Sequence, residues 1–254
     1  MVSIVSASVC GATHKHKGQE CQDAYKIAGF GEITILAAAD GHGSESCPHS
    51  KVGAELAVGV FARLMKRYFA VYSREPDTLR AFLEREGSNA VAKAIEREWK
   101  REVTKRAKKL ERGRSSTLAY GTTLLGLVLT PTFYYAFQLG DGNLLCISGG
   151  EARDVLDSPR ILGVQTYSLS QDNAFERALS RVGEVGEGAA YLLSTDGFAN
   201  SYPDESAFRR TCCEYVAAIG EHGAAAVQAN LSEWLEETSR GGSGDDVTVV
   251  IAKL

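Results

Sequence analysis

The run Ile33-Thr34-Ile35-Leu36-Ala37-Ala38-Ala39 ends in Asp40-Gly41-His42-Gly43, and the reading of the fold starts at that junction. An apolar stretch of this length, opened by β-branched residues, suits a buried strand, and a carboxylate arrives where the apolar run stops. The glycines on either side of His42 permit a tight turn and close backbone approach. The same layout recurs further on. Asp141 follows Phe137-Gln138-Leu139-Gly140 and precedes Gly142, and Asp196 follows Tyr191-Leu192-Leu193-Ser194-Thr195 and precedes Gly197. Asp245 and Asp246 follow Gly241-Gly242-Ser243-Gly244 and precede the last β-branched run, while Asp23 stands where a second strand would begin. Asp-Gly alone is a common turn dipeptide. The repeated pairing of a buried strand with a carboxylate at its tip is what carries the argument.

Carboxylates brought together repel one another, and their pKa values rise unless something positive lies among them. Hard Mg²⁺ or Mn²⁺ answers that problem, because both prefer carboxylate, carbonyl and water oxygens. An aspartate shared by two such ions is the arrangement used for phosphate-ester hydrolysis.

The elements around these tips follow from periodicity. Strands are expected at Ser3–Cys10, Asp23–Ala28 and Ile33–Ala39. After Pro48 the apolar residues Val52, Leu56, Val60 and Leu64 recur every four positions, which predicts an amphipathic helix. Pro76-Asp77 breaks it and opens a second helix carrying Leu79, Phe82, Leu83, Ile95, Trp99 and Val103. Further strands are expected at Leu118–Leu129, Phe133–Leu139, Leu144–Ser148, Ala189–Ser194 and Val247–Ala252, and helices at Glu205–Ile219 and Ala224–Glu237. The span from Asp154 to Gly188 reads as an irregular exposed loop region. Strands and helices are partly segregated, which favours a layered α+β fold over a doubly wound parallel sheet.

Composition bounds the function. Among 254 residues, 28 Lys and Arg stand against 32 Asp and Glu, a net charge of −4, with 44% hydrophobic and 24% charged residues. Disorder, a collagen-like repeat and a disulfide scaffold are excluded, and the acidic balance argues against a dedicated nucleic-acid binder. One domain, residues 1–254, is expected from this length. The six cysteines, Cys10, Cys21, Cys47, Cys146, Cys212 and Cys213, form no C-x-x-C pair and are read as reduced, mostly buried thiols of a cytoplasmic protein. Ser115 to Gly140 carries no charge, but Thr130-Pro131-Thr132 lies midway where a turn belongs, so a buried hairpin is expected and no membrane span. The basic run from Lys100 to Arg114 reads as the solvated face and C-terminal end of a helix rather than a docking patch.

With these residues in view, the sequence resembles the metal-dependent protein phosphatase 2C (PPM) serine/threonine phosphatases, in particular the short bacterial members. The resemblance rests on Cys21-Gln22-Asp23-Ala24, Ala38-Ala39-Asp40-Gly41-His42-Gly43, Gly121-Thr122-Thr123, Gly140-Asp141-Gly142, Leu193-Ser194-Thr195-Asp196-Gly197 and Gly244-Asp245-Asp246-Val247-Thr248-Val249, in the family's order along nearly the whole chain. It implies a four-layer α-β-β-α sandwich, two antiparallel sheets flanked by helices. It implies that Asp40 bridges two core Mn²⁺ or Mg²⁺ ions, with the Gly41 carbonyl on one of them. Asp196 and Asp245 complete the second, and Asp141 with Asp196 holds a weaker third ion. Asp23 then orients water, and His42 protonates the leaving Ser or Thr alkoxide as general acid; the plainer alternative is that His42 packs in a glycine-rich turn. Asp246 falls where many members have Asn, and the sequence does not separate it from Asp245.

One departure stands out. Many members carry an arginine five residues before the first motif aspartate, where it grips substrate phosphate; here that position is Gly18. Glycine does not replace a bidentate guanidinium. His14, His16 and Lys17, with Lys15 among them, are the candidates for phosphate contact. The resemblance also implies a phosphorylated protein substrate, a cognate Ser/Thr kinase, no nucleic acid or membrane partner, and a monomer in bacterial signalling. A non-catalytic module of the same fold that binds a phosphoprotein is the alternative, supported by Gly18 alone.

Overall fold

The apolar runs become strands and the four-residue periodicities become helices in the computed structural model, which describes residues 2–111, 116–157 and 166–254. In chain order these are β1 (Ser3–Val9), α1 (Ala12–His16), β2 (Ala24–Phe30), β3 (Ile33–Ala39), α2 (Ser50–Val71), α3 (Pro76–Glu86) and α4 (Ala92–Glu111). There follow β4 (Leu124–Leu129), β5 (Phe133–Leu139), β6 (Asn143–Ser148), β7 (Glu151–Asp154), β8 (Leu179–Glu184), β9 (Ala190–Ser194), α5 (Asp196–Ala199), α6 (Glu205–His222), α7 (Ala224–Gly241) and β10 (Val247–Lys253).

The chain divides into two compact units. Met1–Asp23, Gly142–Asp157 and Gly186–Leu254 make the first, and Ala24–Asp141 with Ser158–Val185 the second. In the first, a five-stranded antiparallel sheet runs β1-β10-β9-β6-β7. Val5, Leu192 and Ile251 from its strands pack with Phe208 of α6 and with Leu231 and Leu235 of α7. In the second, the order is β2-β3-β4-β5-β8, again antiparallel throughout. Ile35 and Ala37 of β3 pack with Phe61 and Leu64 of α2 and with Trp99 of α4, whose indole N–H donates to the Gly53 carbonyl at 2.9 Å. Two antiparallel five-stranded sheets, each flanked by helices, are the α+β architecture expected from the sequence.

The uncharged stretch, from Ser116 on, contributes the β4–β5 hairpin, with Leu124 opposite Leu139. Thr130 closes its turn, donating its amide to the Phe133 carbonyl at 3.0 Å and accepting the Phe133 amide on its hydroxyl at 2.9 Å. No helix among the described residues is long and apolar enough to cross a membrane. On α4, Lys100 pairs with Glu96, Arg101 with Glu98, and Lys105 with Glu102, as a solvated helix face does. Arg112 and Arg114 of that basic run lie outside the described residues.

Several expectations are corrected. The strand expected from Leu118 begins at Leu124, because Thr117–Tyr120 forms a 3₁₀ turn and Thr122–Thr123 bonds to the turn after β3. The second long helix is two, joined by a π-helical turn over Gly87–Val91. Asp154 to Gly188 is not wholly irregular: it holds a 3₁₀ turn at Ala174–Arg177 and the edge strand β8, while Pro159 lies outside the described residues. The half-exposed pattern of β8 offered no clean alternation to read. Cys212 alone is buried; the other five thiols are half-buried, and no disulfide joins the six.

Candidate functional site

In the second unit, the tip of β3 is held through its backbone. Asp40 donates its amide to Thr123 Oγ1 at 3.0 Å. Its carbonyl accepts from the Thr123 amide at 2.9 Å and the Thr122 hydroxyl at 2.8 Å. Gly41 bridges Thr122, and the His42 amide donates to the Gly121 carbonyl at 3.1 Å. Gly121-Thr122-Thr123 is thereby explained as the partner segment that fixes the Asp40 turn. A Cβ on Gly121 would lie 2.7 Å from His42 Cδ2, so glycine is what lets the imidazole sit there. The segment is secured from behind by Ser168, whose hydroxyl accepts the Thr122 amide at 3.0 Å.

Asp40 is half-buried and Asp141, at the end of β5, is exposed. Burial draws the His42 imidazole below its ordinary value, and the Asp141 charge partly offsets that. His42 Nε2 is buried without a hydrogen-bond partner among the described residues.

The first unit carries the other aspartates, held in a different way. Asp246 is 4% exposed, and its carboxylate accepts the Gly11 amide on Oδ1 and the Gln22 amide on Oδ2, both at 2.7 Å. His14 Nδ1 lies 2.9 Å from Asp246 Oδ1, a close contact without hydrogen-bond alignment, and His14 Nε2 lies 3.9 Å from Asp245 Oδ1. Asp246 thus ties the β1–β2 connection to the start of β10. Asp245 beside it is 49% exposed, and its Oδ1 accepts the Asp246 amide at 2.8 Å. The two adjacent carboxylates differ in degree: Asp246 is buried under two amides from distant residues, whereas Asp245 is half-exposed and takes one, from its own neighbour.

Asp196 opens α5 half-buried, with Asn200 Nδ2 donating to its Oδ2 at 3.0 Å. Gly197 is required there, since a Cβ would stand 2.1 Å from the Asp246 carbonyl oxygen. Asp23 is 8% exposed, and its Oδ2 accepts from the Thr195 hydroxyl at 2.7 Å, with Thr248 Oγ1 also 2.7 Å away. Its Oδ1 is buried without a partner among the described residues. Burial pushes the Asp23 carboxyl up to about 8 against the two threonine hydrogen bonds, and the charges of Asp246 and Asp196 push it further the same way.

Thr195 and Thr248 are the residues that sequence reasoning missed. Both lie inside motifs already quoted, but no spacing reveals that they meet over Asp23. Of the phosphate candidates, His14 faces Asp246 and Asp245, Lys15 pairs with Glu236 at 3.0 Å, and His16 and Lys17 are exposed at the end of α1. Gly18 follows with φ +67, a left-handed turn that glycine adopts without strain.

The comparisons with known proteins bear on the family and the fold. A family model described as protein phosphatase 2C matches residues 10–236, and the chain belongs to that family. The matched span holds Asp23, Asp40, Asp141 and Asp196 and stops before Gly244-Asp245-Asp246. The fold is similar to that of the serine/threonine phosphatase of S. agalactiae, with 14% identity, 99% of each chain covered and a TM-score of 0.67. It is also similar to the serine/threonine phosphatase PstP/Ppp of Mycobacterium tuberculosis, with 18% identity, 100% of this chain and 98% of that one covered, and a TM-score of 0.63. A structure of the catalytic domain of PstP in complex with two manganese ions gives 18% identity, 99% and 97% coverage, and a TM-score of 0.63. Among curated proteins, none matches the sequence.

Proposed function

We propose that the chain is a Mn²⁺- or Mg²⁺-dependent hydrolase of phosphoserine and phosphothreonine in proteins, with residues 1–254 acting as one catalytic domain. The observation that carries the reading is the sorting of the aspartates within a member of this family. Asp246 is engaged by backbone amides, while Asp40 is held through its main chain. The donor set fits hard divalent cations: carboxylates of Asp40, Asp196 and Asp245, the Gly41 carbonyl, and Asp141 with Asp196 for a third, weaker ion. The partnerless Asp23 Oδ1 fits the same chemistry, since a buried acceptor lacking a donor is costly unless water or an ion meets it.

Bound there, two cations supply charge neutralisation of the phosphoryl group and a lowered pKa for the attacking water. The chain's own residues do the rest. Thr122 and Thr123 fix the Asp40 backbone so that little reorganisation accompanies reaction. Asp23, held on Oδ2 by its threonines, offers Oδ1 to orient water. His42 carries at Nε2 the proton that the leaving alkoxide needs. His16 and the cationic Lys17 are the exposed side chains left for phosphate near Gly18.

Hydrolysis of a phosphothreonine peptide with Mn²⁺, with Mg²⁺ and with EDTA tests this, alongside Asp40→Asn. Turnover is expected with either cation and is lost on chelation and in the variant. Tight metal binding without turnover would leave the non-catalytic phosphoprotein-binding module, with Gly18 as the reason.

A further inference from the structure

Five large apolar side chains stand exposed among the described residues, and three of them, Tyr25, Ile27 and Phe30, lie on β2. That strand is the outermost of the second unit's sheet, and no strand among the described residues pairs with its far edge. An open edge is a row of backbone donors and acceptors ready for another strand, and natural proteins usually block it.

The other three edges are blocked. On β1 the Gln228 side chain stands in for a strand, accepting the Ser6 amide on Oε1 and donating Nε2 to the Ser6 carbonyl, both at 2.9 Å. The four-residue β7 is mostly charged, and Arg209 Nη1 donates to its Ala152 carbonyl at 2.6 Å. β8 carries the charges of Arg181 and Glu184. β2 runs seven residues with Lys26 as its one charge.

Register says where this edge leads. Ala24 stands opposite Ala39, so β2 begins beside the residue that precedes Asp40. Strands lie about 4.8 Å apart, so a chain added outside β2 runs roughly 10 Å from β3. A phosphorylated residue just past Ala24 then has a short inward turn to make toward Asp40.

We propose that the substrate's phosphorylated segment binds extended, as an added antiparallel strand on the outer edge of β2. This rests on the phosphatase reading above and names the substrate class for that site. Antiparallel pairing is the more stable choice, and it brings the peptide past Phe30 first and Ala24 last. The phosphorylated residue therefore follows its flanking strand in sequence. Apolar residues at alternate positions before it stand beside Tyr25 and Ile27, which share one face. On the opposite face Lys26 favours an acidic residue.

The test is direct binding, which needs no turnover. Three fluorescein-labelled phosphothreonine peptides of equal length and charge carry valines at alternate positions before the phosphothreonine, the same valines after it, or serines throughout. Anisotropy is measured in EDTA with the full chain, with Ile27→Lys, and with the milder Tyr25→Thr in case the lysine disturbs folding. The first peptide is expected to bind at least tenfold more tightly than the others. Ile27→Lys removes that preference and Tyr25→Thr reduces it severalfold. Equal binding of all three peptides, or a preference that survives both variants, overturns the proposal. So does a dimer in ultracentrifugation that Ile27→Lys dissolves without any peptide preference, which would assign the edge to a second copy of the chain. Loss of the phosphatase reading would show separately, as absent turnover with Mn²⁺ while the binding preference stands.

Discussion

In the turn after β3, Asp40 is secured by its amide and carbonyl, bonded to Thr122 and Thr123. In the turn before β10, Asp246 is secured by its carboxylate, which two backbone amides and His14 surround. Both turns place an aspartate within two residues of a glycine at a strand end. One spends main-chain bonds to fix a carboxylate's position, and the other spends the carboxylate to fix the main chain. Aspartate at a strand tip is therefore not itself a sign of metal chemistry. Amides from distant residues on its carboxylate mark Asp246 as a residue that fixes the main chain.

That contrast can be broken most severely at His42. Its amide, not its ring, holds the Asp40 turn, so His42→Ala should leave the melting temperature nearly unchanged. Turnover of a phosphothreonine peptide should fall by roughly 10²-fold, the scale of a lost general acid. p-Nitrophenyl phosphate, whose leaving group needs no proton, should lose much less. Equal losses on both substrates would return His42 to a packing role.

A smaller effect sharpens the first unit's side of the comparison. Asp23 is raised by burial to about 8 in the folded chain, against 3.8 as its ordinary value. The folded state therefore keeps a proton that the unfolded chain gives up, and stability falls as pH rises from about 4 through 8. In EDTA the wild-type melting temperature should decline across that window by several degrees more than that of Asp23→Asn. Bound cations favour the carboxylate, so Mn²⁺ should flatten the wild-type slope. Identical slopes in EDTA would mean that Asp23 is charged in the folded chain.

Much of the fold was legible. The bounds of β3 and β5 follow directly from their apolar runs, and the uncharged stretch was rightly read as a hairpin because Thr-Pro-Thr interrupts it. β8 escaped because a half-exposed edge strand has no strict alternation, and α1 because five residues show no periodicity. At the candidate site, glycine beside aspartate marked a tight turn at Asp196, where Gly197 leaves no room for a Cβ. The difference between Asp245 and Asp246 was invisible, since the amides of Gly11 and Gln22 lie more than two hundred residues away in sequence. Long-range hydrogen bonding of this kind leaves no local signal.

The most direct test of the sorting is to compare Asp245→Asn with Asp246→Asn, by melting and by calorimetric Mn²⁺ titration. Losing charge-assisted bonds worth roughly 1.5–3 kcal/mol should lower the Asp246→Asn melting temperature by about 5–10 °C. Asp245→Asn, half-exposed, should melt like the wild type yet bind Mn²⁺ with a lost or greatly weakened site. The reverse pattern, or two variants alike in both measurements, would contradict the account.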